Sequence, residues 1–326
     1  MLYIIGTGLN DYKDISLRTL EVLLTCDEIY YECYTCIQNK EFNEIEKYIN
    51  NILNNNNLYN TNNNILNNSN NTSNNTNKCN FKLANRQLVE DECEIVQIAK
   101  NKRVAFLVAG TPFFATTHVD LLLRAKEEGV EYKVIHNVSI SNVMGCYGLY
   151  SYNFGRTVSI CLYENENINE YIENNICNSN LNNNINNNIN NNINNNIYNN
   201  NINNNNTNNI SNSNTNNINN ICNNNLNINT DNLPLSFYDN IYNNYINNLH
   251  TLCLLDIKTD REYFMDANRA IAQILLAEEV RQYGMVDYDS VRNLLRKEYG
   301  KPLHSLIILG KGTSVIEKEF IEKIFE

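Results

Sequence analysis

An α/β fold built on parallel strands follows from three features of this 326-residue chain. The run Val104 to Val108 is apolar, ends at Gly110-Thr111-Pro112, and passes at once into the small polar turn Ala115-Thr116-Thr117-His118. A strand that stops at such a turn sets backbone N–H groups and short hydroxyls at the carboxyl end of a parallel sheet, the usual ligand edge. The amino terminus repeats the pattern, with Met1 to Ile5 as a short apolar strand and Gly6 to Asp11 as a tight loop. Beyond these, strand-like and helix-like stretches alternate, as βαβ units do.

Each element has its own signal. The first helix runs from about Ser16 to Thr25, with Asp14 offering an N-cap and Leu17, Leu20, Leu23 and Leu24 spaced along one face. Glu28 to Tyr34 reads as the second strand, Asn85 to Asn101 as a helix and Val104 to Gly110 as a strand. A helix over Val119 to Glu128 closes at Gly129, and Tyr132 to Ile135 is again a strand. Ser139 to Leu149 reads as a small-residue helix and Thr157 to Leu162 as a strand. Further on come a helix (Ser236 to Asn247), a strand (Thr251 to Ile257), two helices (Asp266 to Tyr283, Tyr288 to Glu298), a strand (Ser305 to Leu309) and a terminal helix.

Two stretches do not belong to this grammar. Residues 51–77 and 165–232 are dominated by Asn, which supplies 40 of the 68 residues in the second. Such tracts lack the apolar density that offsets ordering entropy, so both read as disordered insertions. Their sequons, such as Asn70-Asn71-Thr72, are chance products of the composition. The remaining core is large enough for one α/β domain or two small ones.

Charge and cysteine usage narrow the function. A net charge of −11 disfavours a broad nucleic-acid surface. No segment reaches the ~20 apolar residues of a membrane span, and the first residues form a strand and glycine loop, so an intracellular protein without membrane or nucleic-acid partners is expected. The ten cysteines are scattered, and only Cys33 and Cys36 show C-x-x-C spacing. Without a second pair the better reading is buried reduced thiols and no metal.

Six runs taken together resemble the diphthine synthases (diphthine methyl ester synthases), a family of tetrapyrrole-methylase-like, S-adenosylmethionine-dependent methyltransferases. They are MLYIIGTGLNDYKDIS at 1–16, YECYTC at 31–36, VAFLVAGTPFFATTH at 104–118, VIHNVSI at 134–140, HTLCLLDIK at 250–258 and GKPLHSLIILG at 300–310. The resemblance implies two α/β domains, 1–135 and 136–326, with S-adenosyl-L-methionine in the cleft between them, commonly in a cytoplasmic homodimer. It places cofactor contacts at Leu9, Thr111, Phe114, Ser139, Ile140, Leu255 and His304. On the residues alone, Leu9, Phe114 and Leu255 serve equally well as packing. Ser139 would cap the helix it begins, and His304 would be a satisfied structural residue.

The chain departs from the family's pattern in three places. Thr111 stands where the family commonly has Asp, exchanging a carboxylate for a neutral hydroxyl. Phe114 is bulkier than the small residues often found there. Between Gly284 and Gly300 the chain lacks the strand and loop that relatives usually carry.

The reaction implied is repeated methyl transfer to the modified histidine of translation elongation factor 2 in diphthamide biosynthesis, giving diphthine methyl ester. Such in-line displacement needs alignment more than covalent catalysis. His118, His136 and Asp256 lie near the candidate loops, but none is assigned as a base, and the catalytic residues stay open. Two rivals remain. An NAD(P)-dependent oxidoreductase would use Gly6-x-Gly8 and Glu32, although Asp11 stands in place of the third glycine. An inactive scaffold would keep the fold while its Asn tracts mediate association.

Overall fold

A computed structural model describes residues 1–35, 39–54, 79–91, 94–172, 233–286, 291, 293–301 and 303–325. The chain divides into two compact units. The first holds Met1–Tyr152, Ile257–Tyr263 and Ile316–Glu326, and the second holds Asn153–Asp256 and Phe264–Val315.

Five parallel strands build the first unit: β1 (Leu2–Gly6), β2 (Glu28–Glu32), β3 (Asn80–Ala84), β4 (Val104–Val108) and β5 (Tyr132–Ile135). Their order is β3-β2-β4-β1-β5, with every pairing parallel. β1, β2 and β4 are buried along their whole length; β1 and β4 accordingly read as continuous apolar runs, whereas β2 carries a buried Glu at each end. Because successive side chains point to opposite faces, each strand feeds two cores. Leu2, Ile4, Tyr30, Val104 and Phe106 cluster with residues of α3 (Arg86–Glu90), α4 (Glu94–Ala99) and α5 (Val119–Glu127). Tyr3, Ile5, Ile29, Tyr31, Ala105 and Leu107 cluster with residues of α1 (Leu17–Leu23) and α2 (Asn39–Asn54).

The second unit has a three-stranded sheet. β6 (Val158–Ile160) runs parallel to β7 (Thr251–Leu255), whose other edge pairs antiparallel with β10 (Ser305–Ile308). After β7 comes a short two-stranded sheet, β8 (Ile257–Lys258) and β9 (Tyr263–Phe264), of which Ile257–Tyr263 belong to the first unit. The helices here are α6 (Glu166–Tyr171), α7 (Ser236–Ile246) and α8 (Ala267–Arg281). The terminal helix α9 (Val315–Phe325) returns to the first unit, where buried Glu317 accepts the Tyr150 amide at 2.9 Å. The Phe320 ring occupies the space a Cβ would need at Gly148.

Several expectations are corrected. Ser16, not Asp14, caps α1, accepting the Thr19 amide at 3.1 Å, while Asp14 turns back to accept the amides of Leu9 and Asn10. The helix expected over 85–101 is two, α3 and α4, with residues 92–93 outside the described residues. Ser139 to Leu149 forms 3-10 turns at Ile140–Asn142 and Met144–Tyr147, because Gly148 adopts φ +74°, which ends any helix there. Strand β3 was not expected: only Phe81 and Leu83 carry an apolar signal in this edge strand, which is mostly half-exposed. The helix expected over 288–298 lies partly outside the described residues, and what is described there is a 3-10 turn, Leu294–Arg296.

The expectation of disordered insertions is corrected at the amino-terminal end of each Asn-rich tract, while 55–77 and 173–232 lie outside the described residues. Residues 51–54 still belong to α2, whose Ile45, Ile49 and Ile52 line up at helical spacing against the core. Asn165 caps α6 by accepting the Asn167 amide at 2.9 Å, and Ile168 and Ile172 are buried.

The cysteines divide. Cys26, Cys79 and Cys253 are buried, and burial pushes each thiol up to about 12. Cys146 and Cys161 are exposed instead, and Cys36 lies outside the described residues.

Candidate functional site

The parallel register of β1 and β4 aligns Gly6 with Val108, so the loops that leave these strands run side by side at the carboxyl edge of the sheet. They are tied together by reciprocal backbone bonds. Gly8 N donates to Gly110 O at 3.1 Å, and Gly110 N donates to Gly8 O at 2.8 Å. Glycine is required on both sides: φ is +91° at Gly8 and +68° at Gly110. A Cβ at Gly6 would lie 2.5 Å from Gly110 O.

A third segment, after β5, closes the group. Asn137 Nδ2 donates to Gly6 O at 3.2 Å and to Asp14 O at 3.0 Å, while its backbone N–H donates to Thr111 Oγ1 at 3.3 Å. Asn137 thus bridges all three loops, and sequence reasoning missed it. Its signal was its position, a polar residue directly beyond a strand within His136-Asn137-Val138-Ser139.

The structure brings five of the sequence-derived positions to this edge. Thr111 follows Gly110, and its hydroxyl accepts the Asn137 amide and shares a hydrogen bond of 3.5 Å with His136 Nδ1. Ser139 is buried, and its hydroxyl bonds Ser141 Oγ at 2.7 Å and Asn142 Oδ1 at 3.0 Å, which organises the turn beginning at Ile140. Phe114 and Ile140 are half-buried, and Leu9 is exposed. The other two positions belong to the second unit. Leu255 ends β7, and His304 precedes β10, one step beyond the Leu254–Ser305 pair. His304 Nδ1 accepts the Ala267 amide at the start of α8 at 3.3 Å, which puts the ring proton on Nε2. That Nε2 is buried without a partner among the described residues.

The remaining candidates are engaged in structure. His118 is 1% exposed, its Nε2 lies 3.1 Å from the Tyr34 hydroxyl, and burial lowers its pKa to about 4. Asp256 Oδ2 accepts the Leu162 amide at 3.0 Å. Glu32, the acid an oxidoreductase would need, is buried with both oxygens occupied. Oε1 accepts the Tyr34 amide at 2.9 Å and Oε2 accepts the Thr35 hydroxyl at 2.7 Å. Burial raises its pKa. A ribose would have to displace these bonds, and Glu32 therefore does not support dinucleotide binding. Among the described residues, no group of three or more His, Cys, Asp or Glu is placed to hold a metal ion.

Comparison with known proteins places this geometry in context. The family model of the tetrapyrrole (corrin/porphyrin) methylases matches residues 1–179. The diphthine methyl ester synthase of Dictyostelium discoideum is 27% identical over 359 aligned residues, covering 99% of this chain and 97% of that protein. The human diphthine methyl ester synthase is 28% identical over 361, covering 98% and 94%. The crystal structure of a proposed diphthine synthase from Entamoeba histolytica superimposes with a TM-score of 0.63 at 26% identity, covering 99% of this chain and 97% of that one.

Proposed function

This chain belongs to the tetrapyrrole (corrin/porphyrin) methylase family, and from that premise we propose that it is a diphthine methyl ester synthase. It would transfer methyl groups successively from S-adenosylmethionine to the modified histidine of translation elongation factor 2 in diphthamide biosynthesis, ending in diphthine methyl ester. The observation that carries this reading is the likeness to diphthine methyl ester synthases over nearly the whole length of both chains. Neither rival has comparable support.

The residues fit the cofactor in kind. Glycines at 6, 8 and 110 let the first two loops and the segment after β5 pack closely into one edge, and His304 Nε2 is a buried donor in want of an acceptor. Thr111 would offer its hydroxyl, Ser139 and Ile140 would offer backbone groups, and Leu9, Phe114 and Leu255 would supply apolar surface. The cofactor, when bound, supplies a methyl carbon already activated by its sulfonium. The chain's own task is then to orient the acceptor in line and to exclude water. Elongation factor 2 as the protein substrate and a homodimeric, cytoplasmic enzyme belong to the same proposal. Among the described residues, no helix is long and apolar enough to cross a membrane.

Incubation with S-adenosylmethionine and elongation factor 2 carrying the unmethylated modified histidine is expected to give successive methyl additions, read by mass spectrometry of the factor. Cofactor binding without any mass gain would refute the substrate, and absence of cofactor binding would refute methyl transfer itself.

Thr111→Val tests the hydroxyl directly. It is expected to weaken cofactor binding by about 0.5–1.5 kcal/mol, the worth of one neutral hydrogen bond. Because the Asn137 amide also loses its acceptor, a small fall in melting temperature should accompany it. Calorimetry giving an unchanged affinity would remove Thr111 from the site.

A further inference from the structure

The loop from Gly110 to His118 holds three left-handed residues, Gly110 at φ +68°, Phe113 at +71° and Ala115 at +55°. Two of these carry a Cβ, and such strain persists only where the surroundings fix the chain on both sides. The amino-terminal end is fixed by the reciprocal Gly8–Gly110 bonds and by Asn137 on Thr111. The carboxyl-terminal end meets two other groups. Thr117 Oγ1 donates to Glu90 at 2.8 Å at an exposed position, where water competes, whereas His118 is buried against Tyr34 with Nε2 and hydroxyl 3.1 Å apart.

We propose that the Tyr34–His118 hydrogen bond is the brace that holds this strained loop in its ligand-binding conformation, which makes both side chains positioning residues for the cofactor site. The inference rests on the methyltransferase reading above only for the identity of the ligand.

Both partners are themselves held. Tyr34 is fixed at its backbone by Glu32 and on its ring face by the Arg86 guanidinium, 5.3 Å from the centroid. The His118 ring stands edge-on to Phe106 of β4, centroids 5.1 Å apart, so the brace ties the end of the loop to the strand it left and to the turn after β2. Nε2 and the hydroxyl share this one hydrogen bond, while the buried Nδ1 has no partner among the described residues. Burial lowers the pKa of the ring and keeps it neutral, so the pair is held by a hydrogen bond and not by a charge.

The test is binding of S-adenosylhomocysteine by calorimetry, well below the melting temperature of every variant. Tyr34→Phe and His118→Leu should each weaken binding by about tenfold, and the double variant should lose no more than either, because both remove one bond. His118→Gln, whose amide can bond Tyr34 in the place of Nε2, should stay within about threefold of the wild type. A purely structural role would lower melting temperatures and leave affinity alone, and that result would overturn the brace, as would additive losses in the double variant. Hydrogen exchange at the amides of Phe113, Phe114, Ala115, Thr116 and Thr117 reads the loop without ligand. It should quicken in Tyr34→Phe and His118→Leu and not in His118→Gln, and equal protection in all four proteins would refute the proposal. Failure of the wild type to bind at all would overturn the methyltransferase reading, while exchange would still decide the brace.

Discussion

Gly6→Ala is expected to lower the melting temperature by roughly 5–10 °C and to abolish cofactor binding. The added Cβ would sit 2.5 Å from Gly110 O, 3.0 Å from Asn137 Cβ and 3.0 Å from Pro112 Cδ, one contact from each of two neighbouring loops and one from a rigid ring. None of the three can retreat cheaply. Gly110 O is held by the Gly8 amide, Asn137 by two carbonyls, and Pro112 is buried. Overpacking of this kind costs about 2–3 kcal/mol, and in a protein of this size each kcal/mol is worth about 2–4 °C. The loss of binding follows because relief of the clash means parting the loops that form the ligand edge. Gly129→Ala is the control. At φ +67°, with nothing within 4 Å of its Cβ, it meets only backbone strain of about 1 kcal/mol. Differential scanning fluorimetry and calorimetry on both variants decide the matter: equal melting temperatures would show that the loops do not touch as described.

Excising residues 165–232 is expected to cost about 4–8 kcal/mol, a fall in melting temperature of roughly 10–20 °C, whereas excising 173–232 with a short Gly/Ser join should leave it within a few degrees. The wider cut removes α6 with Ile168 and Ile172, both buried, along with Asn169, whose side chain takes a hydrogen bond from Arg269 of α8. Loss of a large buried aliphatic side chain is worth about 2–4 kcal/mol, and the melting shift follows from the size of the protein. Thermal melts of the two deletion variants side by side provide the measurement, and indistinguishable curves would show that α6 contributes nothing to the second unit.

The same helix shows where sequence reading stops. Composition marks residue 165 as the start of a low-complexity tract, yet Ile168 and Ile172 sit four apart in it and Asn165 is a good N-cap. A pair of isoleucines cannot be told from the tract's many others until something packs on them. Strands β1 and β4 were legible because they are continuous apolar runs that lead into glycine loops, and β5 because Tyr132, Val134 and Ile135 follow the glycine that closes a helix. β3 was not, because an edge strand half open to water carries only two apolar side chains. At the candidate edge, the glycines announced the two loops, and the six family-like runs pointed to Thr111 and Ser139 there and to His304 in the second unit. Asn137 and Tyr34 were invisible. Their roles depend on carbonyls and a hydroxyl brought from distant strands, which a linear pattern does not encode. Asp14 was misjudged for the same reason: capping geometry gave α1 to Ser16 and left the carboxylate to the first loop.

The order of synthesis gives the return of α9 a further meaning. Central strand β1 emerges first, but its partners β4 and β5 begin at Val104 and Tyr132. A fully apolar strand must therefore wait for more than a hundred residues of chain before its ladders can form, a high-contact-order arrangement that folds slowly and is prone to association on the way. Even then the unit is incomplete. Ile316–Glu326 also belong to it, and they are made only after the whole of the second unit, bringing Glu317 to the Tyr150 amide and Phe320 to Gly148. The first unit to be translated is thus the last to be finished.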